Sequence, residues 1–406
     1  MTMLHINSTP LFRRVEPEPP IRLVHGHLYD LLKPLWLELR LLGALPVEKI
    51  ATGCGQPVFK QTFIATLYSV TIYVIVGVCI VYTGLVKLKE VRALKTSEFD
   101  EIVNGYLFLV YLAPHFAVPI CNWIQAGQIA CFLNDWTTFQ THFEHVTGNT
   151  LHMKVWHKAI VILAVLIPLS TTVSIVVDWL VMPEFKLWEI YCYSYTCTLV
   201  HLHIALWFMM CYSVTSTAHR LVNILRQGLG NGRKVSDYHS LWQDLSRLSR
   251  KMGDCVCYIY GVIIVIWFAA LTLSLYGGLT GILDHGVDLR GFALLANALL
   301  CTSVLFVISD AGQRLSEEMG PNFYCTLQTL HLGVNKEVRQ ELNMFQYDVA
   351  MNPPVISLGG YVTVNRNLLL SLLATMVSHM VILLQFRVGA EPNTLNSAKR
   401  TNVFNQ

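Results

Sequence analysis

The sequence is poor in charged residues. Only 14% of its 406 residues are Asp, Glu, Lys or Arg, whereas 53% are hydrophobic, and the mean hydropathy is +0.47. Soluble domains carry about 25% charged residues, so this deficit excludes an ordinary soluble domain and indicates a membrane protein. The net charge of +3 is too balanced to suggest a nucleic-acid partner.

Several short signals are also missing. The first 60 residues lack a positively charged start followed by a short apolar core, so we expect no cleavable signal peptide. No Cys-x-x-Cys pair or His-x-x-x-His spacing occurs, and we therefore expect neither a metal site nor another cofactor. Most of the eleven cysteines lie in or beside apolar runs, where free Cys behaves as a small hydrophobe rather than as part of a disulfide framework.

What the sequence does contain is long apolar runs. A helix needs roughly 20 mainly apolar residues to cross the hydrocarbon core, and lipid offers no partner to open backbone. The sequence therefore predicts an all-α membrane protein with seven transmembrane helices, at 61–86, 102–134, 159–177, 190–218, 255–283, 291–309 and 367–386. No convincing internal repeat is present, which disfavours an inverted-repeat transporter.

The distribution of positive charge predicts the orientation. About two thirds of the 29 Lys and Arg residues fall in the N-terminal segment and every second loop after it. Positive residues stay on the cytoplasmic side, so we expect a cytoplasmic N-terminus and an extracellular C-terminus. The fourth loop is the clearest case, with Arg220, Arg226, Arg233, Lys234, Arg247, Arg250 and Lys251.

Three polar segments on the predicted cytoplasmic side carry apolar stripes at helical spacing. The first runs from Leu28 to Leu42, and we expect it to lie in the interface or to pack under the bundle. The second lies in the fourth loop, from Tyr238 to Leu248, and the third runs from Leu327 to Phe345 before Pro353 and Pro354 end it. Together they predict a cytoplasmic helical anchor domain.

These patterns give a predicted division of the chain. Its parts are a cytoplasmic N-terminal segment with an interfacial amphipathic helix (1–60), a six-helix ligand-binding bundle (61–309) whose loop 219–251 joins the anchor, an anchor helix (310–354), a pore-lining seventh helix (355–386) and an extracellular tail (387–406).

The last span carries a polar stripe. Asn367, Ser371, Thr375, Ser378 and Gln385 recur at spacings that place them along one side of a helix otherwise made of apolar residues. Such a stripe has two interpretations. It either faces water and ions in a pore, or its side chains join helices by hydrogen bonds worth about 0.6 to 2 kcal/mol each. Periodicity alone does not separate them.

The end of this span resembles a signature of the insect gustatory receptors, which reads Thr-Tyr, five hydrophobic residues and Gln-Phe. Here Ser378 and His379 replace Thr-Tyr, five apolar residues follow, and Gln385 and Phe386 match. The stretch EVRQELNMFQYDVAMNPPVISLGGYVTVNRNLL, from Glu337 onward, most resembles the carbon dioxide receptor subfamily.

This resemblance implies a tetrameric, ligand-gated, non-selective cation channel in the plasma membrane of sensory neurons. Its partners would be related gustatory receptor subunits in a homo- or heterotetramer, membrane lipid and a small-molecule ligand such as carbon dioxide. The last helix would line the pore, with a gate near Gln385. Val381 and Ile382, about one turn earlier, would narrow the path, and Ser371, Thr375 and Ser378 would supply polar groups.

The resemblance also implies a ligand cavity in the outer half of each subunit, among the second to sixth spans. Tyr191 and Tyr195 share a helix face there, with Tyr193 pointing away, and ionisable Asp178 is a functional candidate at membrane depth. His201 is a candidate sensing group, although such histidines are more often satisfied in the core. The predicted ligand-binding residues are Tyr106, Tyr111, Asp178, Tyr191, Tyr195 and His201.

Two alternatives to this interpretation stay open, and a third class is not expected. The chain would be a gustatory receptor for another tastant or odorant if the subfamily resemblance misleads. A G-protein-coupled receptor fits the span count but not the charge orientation, and no Asp-Arg-Tyr follows the third span. An enzyme is not expected, since the second-loop cluster of His142, Glu144, His145, His152 and His157 matches no metalloprotease or acyltransferase pattern.

Overall fold

A computed structural model describes residues 27–50, 58–94, 99–151, 154–181, 186–227, 232–286, 289–330 and 335–403. The elements in chain order are α1 (His27–Leu41), β1 (Val47–Ile50), β2 (Val58–Gln61), α2 (Phe63–Ala93), α3 (Phe99–Thr147), α4 (Lys154–Val181), α5 (Leu187–Gln227), α6 (Gly232–Cys255), α7 (Cys257–His285), α8 (Leu289–Met319), α9 (Pro321–Thr329), α10 (Lys336–Met351), β3 (Ser357–Leu358), β4 (Val362–Thr363) and α11 (Arg366–Val403).

Seven of these helices are long and apolar enough to cross a membrane, and the prediction of an all-α fold with seven transmembrane helices is confirmed. They are α2, α3, α4, α5, α7, α8 and α11. Several run past the predicted spans because helix formation does not end where hydropathy falls. In α3, for example, the helix continues to Thr147, although the apolar run ends near Asn134.

The amphipathic segment before the first span packs into the bundle. Leu32, Leu35 and Leu39 of α1 are fully buried, and α1 lies against α4 and α5. The backbone carbonyl of Leu42, just after the helix, accepts a hydrogen bond from the Tyr195 hydroxyl at 2.9 Å. The stripe therefore packs against the bundle, which is one of its two predicted placements.

The helices α6, α9 and α10 form a compact unit at one end of the bundle, here called the platform. Trp242 of α6 is buried between Phe323 of α9 and Phe345 of α10, with ring centroids 6.2 and 5.9 Å away. Its indole N–H donates to the Met319 carbonyl at 3.2 Å. The predicted packing of the fourth-loop stripe against the segment before the last span is thus present.

The sequence predicts a single anchor helix over 310–354, but the structure divides this segment among three helices. The transmembrane helix α8 continues through Asp310 to Met319, and α9 and α10 follow as separate helices. The break lies at Gly320 and Pro321, where Pro occupies the first turn of α9. Proline is tolerated there because it lacks a backbone N–H, and an N–H in the first turn of a helix would have no partner within the helix.

A short hairpin precedes the last helix, in a region predicted to be part of that helix. Strands β3 and β4 pair antiparallel, with Ser357 opposite Thr363. Gly359 and Gly360 form the turn with φ of 60° and 79°, and glycine adopts such angles without a steric penalty. Helix α11 consequently begins at Arg366, one residue before the predicted span of 367–386 and well after the predicted segment boundary of 355.

Candidate functional site

The polar stripe of α11 faces away from its own protomer. Asn367, Ser371, Thr375, Ser378 and Gln385 are all exposed. Within 366–385, the buried residues of the helix are Leu369, Met376 and Met380, which lie on the opposite face at about 100° per residue and pack toward α7 and α8. The stripe therefore does not contribute to packing within the subunit.

The hydroxyls of this stripe bond to their own helix. Ser371, Thr375 and Ser378 each donate to the backbone carbonyl four residues earlier, at 2.9, 2.8 and 3.2 Å. Among the described residues, none of the three has a hydrogen bond to a neighbouring helix. The interpretation of these side chains as interhelical links consequently has no support within one protomer.

The remaining predicted pore residues share this exposed side. Val381 and Ile382 are about half exposed, at 49% and 48%, and Ile382 falls within the polar stripe. His379, at the second signature position, is exposed as well, and its Nδ1 donates to the Thr375 carbonyl at 2.9 Å. The side chain of Phe386 lies outside the described residues.

A separate cavity of about 350 Å³ lies inside the bundle, between α3, α4, α5, α7 and α8. It sits at the end of the bundle opposite the platform, since its lining comes from the start of α3, α5 and α8 and from the second half of α4. Its lining is mostly apolar and aromatic. The volume is near the lower limit of ordinary ligand pockets, so the cavity suits a small, largely apolar molecule.

A chain of hydrogen-bonded polar side chains lies at one side of this cavity. The Tyr111 hydroxyl donates to Asn297 Oδ1 at 2.8 Å, and the Asn297 amide donates to Ser274 Oγ at 2.7 Å. The chain joins α3, α7 and α8 at the cavity wall. Thr171 of α4 and Thr198 of α5 form another link across helices, with hydroxyl oxygens 2.7 Å apart.

Trp267 is the aromatic centre of the cavity wall. Tyr111 and His201 both meet its ring edge-on, at 6.0 and 5.8 Å between centroids. His201 Nδ1 lies 2.7 Å from the Cys197 carbonyl and donates to it, so neutral His201 keeps Nε2 as an acceptor. The buried indole N–H of Trp267 has no protein partner in the described part of the chain. The cavity thus offers aromatic surface with few polar groups.

Three of the six predicted ligand-binding residues meet at the cavity: Tyr111, Asp178 and His201. Tyr106 and Tyr191 are instead exposed on the outside of the bundle, at 47% and 56%. Tyr195 is buried but points toward α1, where its hydroxyl binds the Leu42 carbonyl. The structure therefore does not bring these three tyrosines into the cavity.

Sequence reasoning missed other residues of the wall. Tyr193, set aside as pointing away from Tyr191 and Tyr195, lines the cavity and packs edge-on against Phe108 at 5.8 Å. Trp267 was not singled out either. Spacing correctly placed Tyr191 and Tyr195 apart from Tyr193, but a helix that is apolar all round gives no signal for which face meets a ligand.

The structure places part of the second-loop histidine cluster among the residues described. His142 Nδ1 lies 3.0 Å from Asp244 Oδ2 of α6, so it joins α3 to the platform. The side chains of His152 and His157 lie outside the described residues. Within that description, no group of three or more His, Cys, Asp or Glu side chains is placed to hold a metal ion.

Comparison with known proteins agrees with this architecture. A family model described as 7tm Chemosensory receptor matches residues 32–388. Gustatory and odorant receptor 24 of Anopheles gambiae is 33% identical over 374 residues, which cover 91% of this chain and 80% of that protein. Gustatory and odorant receptor 21a of Drosophila melanogaster is 24% identical over 90% of this chain and 82% of its own length.

Solved structures share the fold. The insect olfactory receptor OR5 from Machilis hrabei superimposes with a TM-score of 0.62 at 12% identity, covering 88% of this chain and 98% of that one. The same receptor in complex with eugenol gives a TM-score of 0.60. The family match over most of the chain, with the seven helices, settles the class: this chain belongs to the seven-transmembrane chemosensory receptor family of insects, and is therefore a multi-pass plasma-membrane receptor of sensory neurons and not an enzyme.

Proposed function

We propose that this chain is a subunit of a ligand-gated, non-selective cation channel whose pore is lined by α11. One observation carries the proposal: the polar stripe of α11 is exposed on the protomer, opposite the face that packs on α7 and α8. Lipid tails offer no hydrogen-bond partner to exposed Ser, Thr and Gln side chains, whereas the water in a path shared by several subunits does.

In this proposal four related subunits surround one axis. Ser371, Thr375 and Ser378 line the path, and Val381, Ile382 and Gln385 form its narrow part. The platform is the cytoplasmic anchor between subunits, which places the N-terminus inside and the cavity near the outer surface. The charge distribution along the chain supports this orientation.

The cavity is the proposed ligand site. Its mostly apolar wall suits neutral carbon dioxide, which has no charge and only weak acceptor oxygens. Tyr111, Asp178, His201 and Asn297 supply the polar groups. The resemblance of the segment from Glu337 onward to carbon dioxide receptors supports this ligand, and with it a heteromer of several related subunits.

A small odorant or tastant is the second candidate ligand, because the cavity is larger than a three-atom molecule needs. Its 350 Å³ is roughly ten times the 30 Å³ that one water occupies in the liquid. Tyr111, Tyr193 and Trp267 also offer aromatic surface for stacking.

Current recording from cells that express the chain alone and with related receptors tests these proposals. Carbon dioxide at constant pH should evoke a cation current, while acid alone and sugars should not. A current evoked only by small odorants would replace carbon dioxide with the second candidate. If surface-expressed receptor gives no cation current with any subunit combination, the channel proposal is wrong.

A further inference from the structure

Helix α8 is the element that joins the cavity to the start of α11. Its first half carries Asn297 and Cys301, which line the cavity. About two and a half turns beyond Cys301, Asp310 contacts Arg366, the first residue of α11. Because a single continuous helix connects these sites, a displacement at the cavity wall reaches Asp310 without crossing a loop.

The contact between Asp310 and Arg366 is a charge-assisted one. Arg366 donates from Nε and Nη2 to Asp310 Oδ1, at 2.9 and 2.7 Å. The other oxygen, Oδ2, accepts from Arg314 of the same helix α8 at 2.6 Å. The Asp310 side chain is only 11% exposed, and charged hydrogen bonds of this kind are shorter and stronger than neutral ones.

Close backbone packing surrounds this ion pair. Gly312 lies against Val364 at the base of α11, and a Cβ on Gly312 would come within 2.5 Å of the Val364 carbonyl. Val364 is buried, and its N–H donates to the Ile356 carbonyl across the hairpin. The start of α11 is thus fixed to α8, whereas its polar stripe farther along is exposed.

We propose that the Asp310–Arg366 pair couples the cavity to the pore helix, and that both are positioning residues for gating. This inference rests on the proposed channel function. Movement of α8 when the cavity is occupied shifts Asp310, and the pair transfers that shift to the first turn of α11. Arg314 binds the same carboxylate but stays within α8, so it takes no part in the transfer.

Arg366→Gln and Arg314→Gln form a matched pair of variants. Each removes one charged partner of Asp310 and leaves the other, so neither variant strands the buried carboxylate. Allosteric coupling is typically worth 5- to 150-fold. We therefore expect Arg366→Gln to lower the ratio of ligand-evoked to basal current on the order of tenfold, with Arg314→Gln at the wild-type ratio. Arg366→Lys, which keeps the charge, should recover part of the ratio.

Current is recorded with related receptors co-expressed, at equal surface labelling, first under carbon dioxide-equilibrated saline and then under small aromatic odorants.

Amide hydrogen exchange on the purified chain is the second readout and needs no current. The first turn of α11 should exchange faster in Arg366→Gln and be unchanged in Arg314→Gln. Equal effects of the two variants on exchange or on the current ratio would overturn the inference. A silent wild-type channel contradicts the proposed function instead, and the exchange result then still decides whether Arg366 fixes α11 to α8.

Discussion

Helices α5 and α11 both carry polar side chains at nearly every turn, yet they use them differently. In α5, Thr198, His203 and Ser213 are buried, and the first two bond to Thr171 and Asn122 on neighbouring helices. In α11, Ser371, Thr375 and Ser378 are exposed and bond only to their own backbone among the described residues. The face that a polar residue occupies on a membrane helix therefore decides whether it bonds to a neighbouring helix or only to its own.

The largest expected effect concerns two histidines, one on each helix. His203 of α5 is buried, with Nε2 2.9 Å from the Asn122 amide nitrogen. His203→Ala leaves a cavity and an unsatisfied amide, so we expect a loss of about 3 kcal/mol in the free energy of unfolding. His379→Ala on exposed α11 should change it by less than about 0.5 kcal/mol. Thermal unfolding in detergent measures both, and equal shifts in Tm would refute the contrast between the helices.

The next largest effect is expected from the hydrogen bond between Tyr111 and Asn297 at the cavity wall. Tyr111→Phe removes the hydroxyl that donates to Asn297, which leaves the half-buried Asn297 Oδ1 without this donor at a cost of about 1 kcal/mol. We expect a lower Tm and a higher ligand concentration for half-maximal current. Tyr106→Phe is the matched control, since that side chain is exposed outside the cavity. A normal response in Tyr111→Phe would remove this tyrosine from the ligand site.

A third comparison is between Thr198 of α5 and Thr375 of α11. Thr198→Val breaks the hydroxyl pair between α4 and α5, and interhelical bonds of this kind are worth about 0.6 kcal/mol. Thr375→Val breaks only a bond to its own backbone, so its stability should match the wild type while its conductance falls. Unchanged conductance at normal surface level would argue that Thr375 lies outside the ion path.

The smallest effect lies in the platform, outside the lipid. Burial raises the pKa of Asp348, but hydrogen bonds from Gln243, His239 and Asn352 outweigh it and hold that pKa below its ordinary value. A lowered folded-state pKa stabilises the folded state above about pH 3.9, and this contribution is lost as the pH falls through the folded-state value. Asp348→Asn should abolish that part of the acid destabilisation, which is about 0.3 kcal/mol. Identical acid-unfolding curves for the two proteins would show that these bonds contribute nothing.

The seven spans were predictable because each requires a long apolar run, a property of composition alone. The platform packing was predictable for a similar reason, since Trp242 and Leu245 recur with a helical period on an otherwise polar segment. The family match also removes the G-protein-coupled receptor as an alternative.

The hairpin and most of the cavity wall were not predicted. Gly359-Gly360 was a turn signal, but strands of two residues are too short to show alternation. Tyr193 and Tyr195 are both buried, but the Tyr195 hydroxyl bonds to the Leu42 carbonyl just after α1, whereas Tyr193 lines the cavity. Helix rotation in an apolar bundle depends on tertiary contacts that a single sequence does not record.

The most direct test of the pore assignment is cysteine substitution along α11. Ser371, Thr375, Ser378 and Gln385 each become Cys, with Leu373 and Leu384 as controls, since both are half-buried against the core of the protomer and lie off the polar stripe. Charged, water-soluble thiol reagents should block current through the four stripe variants and spare the two controls. Unaltered current through all four stripe variants, at normal surface level, would contradict a pore lined by α11.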